Sequence, residues 1–147
     1  EWNAAWRSFG EGSGADLNII SAGGMNIAAG VYGASPTLSP EYVVQENPDV
    51  IVVMVSSASK GNLTAFQNTR NELFNRAVLS GTNAVIDNRI YAYDSVIFQG
   101  IRYPVGLIYW AKWFHPALFT DIDPNTVHQD LIHEFFGVTL TGVYVYP

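Results

Sequence analysis

A three-layer α/β sandwich, its mostly parallel central sheet flanked by helices, is the fold this sequence predicts. Three observations carry the prediction. Val50–Val55 is six apolar residues in a row, five of them valine or isoleucine. A β-branched run that is apolar on both faces marks a strand covered from both sides, as in parallel sheets. Arg89–Ser95 (RIYAYDS) alternates, with Ile90 and Ala92 on one side and Tyr91 and Tyr93 on the other, and reads as a second strand. Capped helical segments precede, separate and follow these two runs, which is the order of an α/β layer structure.

The elements follow in order. Glu1–Gly14 brings Trp2, Trp6, Arg7 and Phe9 and then EGSG, the tail of a strand and the loop after it. Asp16–Ala22 makes a short helix with Leu17 and Ile20 on one face, and Gly23-Gly24 ends it. Met25–Gly33 is a loop or a short turn of helix. Ser39 caps the next helix and Pro40 suits its first position, where a missing N–H costs nothing. Asn47-Pro48-Asp49 breaks that helix, since the residue before proline is pushed out of the α region. The Val50–Val55 strand ends at Ser56 and Ser57. Asn62 caps a helix to about Arg76 with Leu63, Phe66, Leu73, Phe74 and Ala77 on a 3.6 period. Leu79–Asn88 connects to the second strand, and Val96–Tyr103 is the loop after it. Pro104 starts a helix to Phe114 or His115 that is apolar nearly all round and therefore buried, and Pro116 stops it. Asp123-Pro124 starts another, with Val127, Leu131 and Phe135 on its inner face and Gly137 at its end. Val143–Tyr146 reads as a last short edge strand.

Composition narrows the function. The chain has 147 residues, enough for one domain with a sizeable core, and 48% hydrophobic content argues for packing over disorder. A net charge of −6 without a basic run argues against nucleic acid and against an anionic membrane surface. No cysteine is present, which removes disulfides, thiolate metal sites and thiol catalysis. No stretch approaches the ~20 apolar residues of a membrane span, and no signal peptide is visible. The chain opens at Glu1 without methionine, so a processed protein or an excised fragment is expected.

Catalytic motifs are missing. His128 and His133 are five apart and form no HExxH, and with His115 they read as structural or surface histidines. No G-x-S-x-G elbow occurs, and no His–Asp pair is placed to activate Ser56, Ser57 or Ser59. The glycine-rich stretches match neither phosphate-binding fingerprint and read as turns. Asn62-Leu63-Thr64 is a glycosylation sequon by pattern only.

Two loops carry more. One holds Trp6, Arg7 and Phe9, and the other Phe98, Gln99 and Arg102; if both follow strands, both lie at one edge of the sheet. Open α/β sheets bind ligands at the carboxyl ends of their strands. Arginine beside aromatics suits a large, partly planar anionic ligand, through bidentate hydrogen bonds and stacking. The plainer reading pairs Arg102 with a nearby acid such as Asp94 and puts the aromatics in the core. Glu41, second in its helix, is explained by the helix dipole; an exposed acid there also suits docking to a basic partner.

Taken together, AGGMNIAAG (Ala22–Gly30), LSPEYVVQENPDVIVV (Leu38–Val53), TNAVIDNRIYAYDS (Thr82–Ser95) and WFHPALF (Trp113–Phe119) resemble the C-terminal lobe of the substrate-binding proteins of iron-complex ABC importers. That family binds ferric siderophores, haem or cobalamin between two α/β lobes joined by a long helix. The resemblance implies that residues 1–147 are a single C-terminal lobe, with the N-terminal lobe and linker helix absent. It implies a prokaryotic, extracytoplasmic protein, soluble or lipid-anchored through a missing N-terminal part. Its partners would be a metal-chelate ligand and an ABC permease, without nucleic acid. No resident cofactor and no metal-ligating residue follow from it, since the metal arrives chelated, as cargo. The family's C-lobe docking glutamate matches Glu41. Its ligand loops match Trp6, Arg7, Phe9, Ser56, Phe98, Gln99 and Arg102, with Arg102 first because such chelates present oxygen anions. The alternatives are an α/β enzyme domain, such as a hydrolase or a metal-cluster subunit, and a purely structural module marked by an exposed apolar patch.

Overall fold

In the computed structural model, residues 1–2, 4–55 and 61–147 are described. The apolar run folds as β1 (Ile51–Met54) and RIYAYDS as β2 (Ile90–Tyr93). They pair in parallel, Ile51 opposite Ile90 and Met54 opposite Tyr93. β3 (Val145–Tyr146) lies antiparallel on the far side of β2, so the sheet order is β1-β2-β3. Only the last two residues of VYVY enter the sheet.

Among the described residues, six α-helices surround it: α1 (Gly14–Ser21), α2 (Pro40–Glu46), α3 (Leu63–Phe74), α4 (Asn83–Ile86), α5 (Tyr103–Phe114) and α6 (Pro124–Phe136). Their ends follow the cap residues. Ser39 Oγ accepts from the Tyr42 N–H at 3.1 Å, and Asn62 Oδ1 from the Ala65 N–H at 3.3 Å. Asp123 Oδ1 takes the Asn125 N–H at 3.1 Å. Gly137 closes α6 in the left-handed region at φ 66°, a conformation in which glycine carries no Cβ penalty.

Alternate residues of the strands enter opposite cores, which makes the three layers. Val53, Val55, Ile90 and Ala92 pack with Val43 of α2, Phe66 and Leu73 of α3, and Leu79. On the other face, Tyr93 is buried with Val105, Tyr109, Trp110 and Trp113 of α5, and half-buried Val52, Met54 and Tyr91 join them. The buried face of α5 accounts for its apolar sequence. Gly106 lets this helix lie against the turn after β2: a Cβ there would stand 2.7 Å from the Ile97 carbonyl oxygen.

In α1, Leu17 and Ile20 share a face, and that face is exposed while Asp16 is buried. The Asp16 carboxylate accepts from the Gly12 N–H and from Asn26 Nδ2, each at 2.8 Å, so loop hydrogen bonds set the inner face. In α3, Phe66 and Leu73 are buried, but Leu63 is exposed and Ala77 lies beyond the helix. In α6, Val127 and Leu131 pack inward as expected, but Phe135 is 66% exposed, and Pro124, His128 and Ile132 are the buried residues. Phe136 and Val138 are exposed too, so the last turn of α6 outruns the layer beneath it.

Glu1 adds one rung beside β1. Its amino group donates to the Val52 carbonyl at 2.8 Å and its carbonyl accepts from the Met54 N–H at 2.9 Å, the pattern of a parallel ladder centred on Val53. The Glu1 carboxylate takes both terminal nitrogens of Arg76 at 2.7 and 2.8 Å. Glu1 thus stands in parallel register beside β1.

Candidate functional site

β2 runs parallel to β1 and Glu1 pairs with β1 in the same sense, so the chain leaves the sheet at its carboxyl edge after Glu1 and after Tyr93.

In the first loop, Trp2 stacks on Phe9 with centroids 5.5 Å apart and planes 7° from parallel. The Arg7 guanidinium lies 4.7 Å from the Trp2 centroid. Arg7 and Phe9 are thus joined through Trp2, a residue the sequence analysis did not single out. The Arg7 backbone bridges to Thr37, which fixes the base of the loop. Trp6 goes elsewhere. It sits at φ 64°, its N–H donates to the Glu1 carboxylate at 2.9 Å, and Arg76 covers its ring at 4.7 Å. Trp6 and Arg7 also line a cleft of about 760 Å³ that opens along the free side of β1, between Arg76 and Leu79 of one layer and Phe114 and His115 of the other.

The second loop is two short turns, Ser95–Phe98 and Gly100–Arg102. Asp94 Oδ1 caps the first by accepting from the Val96 N–H at 3.0 Å. Phe98 is half-buried, with its ring 4.7 Å from Trp110, 6.0 Å from Tyr93 and 6.3 Å from Tyr103. One side of this ring packs against the core. Gln99 is exposed. Arg102 is half-buried, and its Nε donates to His128 Nε2 at 3.1 Å. The acid considered from sequence is not the partner of this nitrogen; an imidazole from α6 is. Ser56 lies outside the described residues. Glu41 is exposed in the first turn of α2.

His128 is fully buried, its ring edge-on to Tyr144 at 4.9 Å. Burial first, and the Arg102 charge second, push its pKa from 6.5 down to about 4. The sign follows from linkage. The unfolded chain takes up a proton near 6.5 while the folded chain stays neutral to about 4, so this histidine's stability contribution is full above pH 6.5 and is lost as pH falls toward 4. The expected loss is on the order of 2–3 kcal/mol. Urea midpoints at pH 7, 5.5 and 4.5 check it: His128→Gln is expected to flatten the decline, and parallel curves for both proteins would refute the assignment.

Among the described residues, no three His, Cys, Asp or Glu side chains converge to hold a metal ion. No helix among them is long and apolar enough to cross a membrane.

Fold and edge together define one α/β lobe of the solute-binding type. The chain belongs to the periplasmic binding protein family, whose model matches residues 2–97, from the first loop through β2 to the turn after it. Similar solved structures include the TroA-like periplasmic binding protein FepB from Veillonella parvula (TM-score 0.76, 20% identity, 95% of this chain and 43% of that one). The molybdate-bound periplasmic binding protein MolA from Haemophilus influenzae is also similar (0.73, 21% identity, 97% and 43%). So is the periplasmic haem-binding protein RhuT from Roseiflexus sp. RS-1 (0.60, 26% identity, 76% and 41%). The chain spans about two fifths of the length of these structures. Among curated proteins, none matches it.

Proposed function

We propose that this chain is the C-terminal, ligand-binding lobe of an extracytoplasmic solute-binding protein that captures a metal chelate and delivers it to an ABC importer. The chelate is a ferric siderophore, haem or cobalamin, held between this lobe and an N-terminal one. Membership of the periplasmic binding protein family carries the reading. The placement of Arg7 and Arg102, each beside aromatic or imidazole rings in loops that leave the carboxyl edge, supports an anionic ligand with planar surface. RhuT binds haem and MolA binds molybdate, so both neighbours take metal-containing cargo. Binding and delivery require no bond-making step in the lobe. A membrane tether would come from the N-terminal side of the protein.

Tryptophan-fluorescence titration of the two-lobed protein against haem, cobalamin and a panel of ferric siderophores tests the reading. Saturable quenching by one compound, with Kd raised on the order of tenfold by Arg102→Ala, is the expected result. Silence across the panel would remove chelates as the cargo.

Glu41 is the docking residue in this reading, since it is exposed and the helix start favours its charge. Glu41→Lys is expected to weaken binding to the permease in proteoliposomes on the order of tenfold, chiefly through association rate and orientation. Ligand affinity stays unchanged in that variant; a fall in ligand affinity instead would place Glu41 in the binding site and reject the docking role.

A further inference from the structure

We infer that His128 is a positioning residue: as an uncharged acceptor it holds the Arg102 guanidinium so that its two outer nitrogens remain for a bidentate oxygen anion, a carboxylate being the matching group. The inference rests on the proposal that Arg102 contacts ligand, and it adds how that side chain is held and what chemical group it takes.

Three observations carry it. Arg102 spends Nε, and among the described residues only Nε, on a protein partner, the 3.1 Å bond to His128 Nε2. A guanidinium has five N–H donors in a rigid plane, so fixing the Nε side fixes the direction of the outer pair. Next, accepting at Nε2 requires the lone pair there, so His128 is neutral and carries its proton on Nδ1. That Nδ1 is buried and, among the described residues, has no hydrogen-bond partner. A buried donor without a partner costs about 1–3 kcal/mol, and an apolar residue would fill this fully buried position without it. The histidine therefore works against the packing of its own site, and the one bond it makes goes to Arg102. Finally, Arg102 closes the turn Gly100–Arg102 and directly precedes α5, while His128 stands on α6 against Tyr144. The bond ties the loop at the binding edge to a helix of the outer layer, and an arginine ordered in advance loses less side-chain entropy when a ligand arrives.

The experiment uses the two-lobed protein with His128→Leu, His128→Gln and Arg102→Ala. First, the Arg102 Nε–H resonance is followed by nitrogen-15 NMR without ligand. Protection from water exchange in the starting protein and in His128→Gln, which keeps an acceptor, and its loss in His128→Leu are expected. An unprotected Nε–H in the starting protein, or one unaffected in His128→Leu, overturns the inference. Second, the titrations with haem, cobalamin and ferric siderophores are repeated, with haem dimethyl ester as the carboxylate-blocked probe. His128→Leu is expected to raise Kd three- to tenfold while its thermal midpoint holds or rises, and His128→Gln to recover most of the affinity. If Arg102→Ala leaves Kd unchanged while the NMR result stands, the ligand reading of Arg102 fails, and the pair is a structural clamp. If Arg102→Ala weakens binding but His128→Leu does not, Arg102 binds without help and the positioning role is rejected. If no compound binds, both fall.

Discussion

Trp110→Ala is expected to cost about 3–5 kcal/mol of folding stability, the range for deleting a fully buried large aromatic. Trp110 is 0% exposed. It meets Tyr93 edge-on at 5.3 Å and 90°, Phe98 at 4.7 Å and Phe114 at 6.0 Å. One ring thus joins β2, the loop after it and the end of α5, and alanine would leave a cavity bounded by three other rings. Against a domain stability of about 5–15 kcal/mol, that is a large fraction. The indole N–H has no partner, so Trp110→Phe gives up no hydrogen bond and is expected to cost much less. Urea denaturation of both variants is the measurement. An alanine cost below about 1 kcal/mol would mean that the second core does not depend on this ring. Since Phe98 leans on it, the loop carrying Gln99 and Arg102 is expected to loosen as well.

Arg70→Ala is the second large effect, about 2–4 kcal/mol. Arg70 reaches from α3 across the layer boundary and is only 8% exposed. Its Nε donates to the Ile90 carbonyl at 2.9 Å and Nη2 to Asn88 Oδ1 at 2.6 Å, with the guanidinium 5.4 Å from the Phe74 centroid. It clamps the entry to β2, where Asn88 turns the chain at φ 58°. Alanine would leave a buried carbonyl without its charged donor and a gap beside Phe74. Arg70→Lys keeps the charge but not the fork, so it is expected to recover less than half of the loss. Full recovery by lysine in the same denaturation series would show that charge alone matters there.

The parts of the fold that were legible in the sequence are those whose signal is local. The valine-isoleucine run, the Ser39, Asn62 and Asp123 caps, the prolines at helix starts and Gly137 each act within four residues, and each folds as read. The parts that were not legible are long-range polar pairs. Arg70 and His128 look like surface residues in a periodicity count, because burial depends on partners 20 and 26 residues away. At the candidate site, the parallel pairing read from the sequence is present between β1 and β2, and it sends the loop with Arg102 off the carboxyl edge. The sequence did not show that Trp6 is turned toward Arg76 or that Trp2 links Arg7 to Phe9, since each depends on side-chain direction after a turn.

The single rung that Glu1 makes on β1 has a mechanical side. Its backbone is bonded to Val52 and Met54, and its carboxylate holds both terminal nitrogens of Arg76, so a pull on Glu1 loads the edge of β1 and the segment after α3 together.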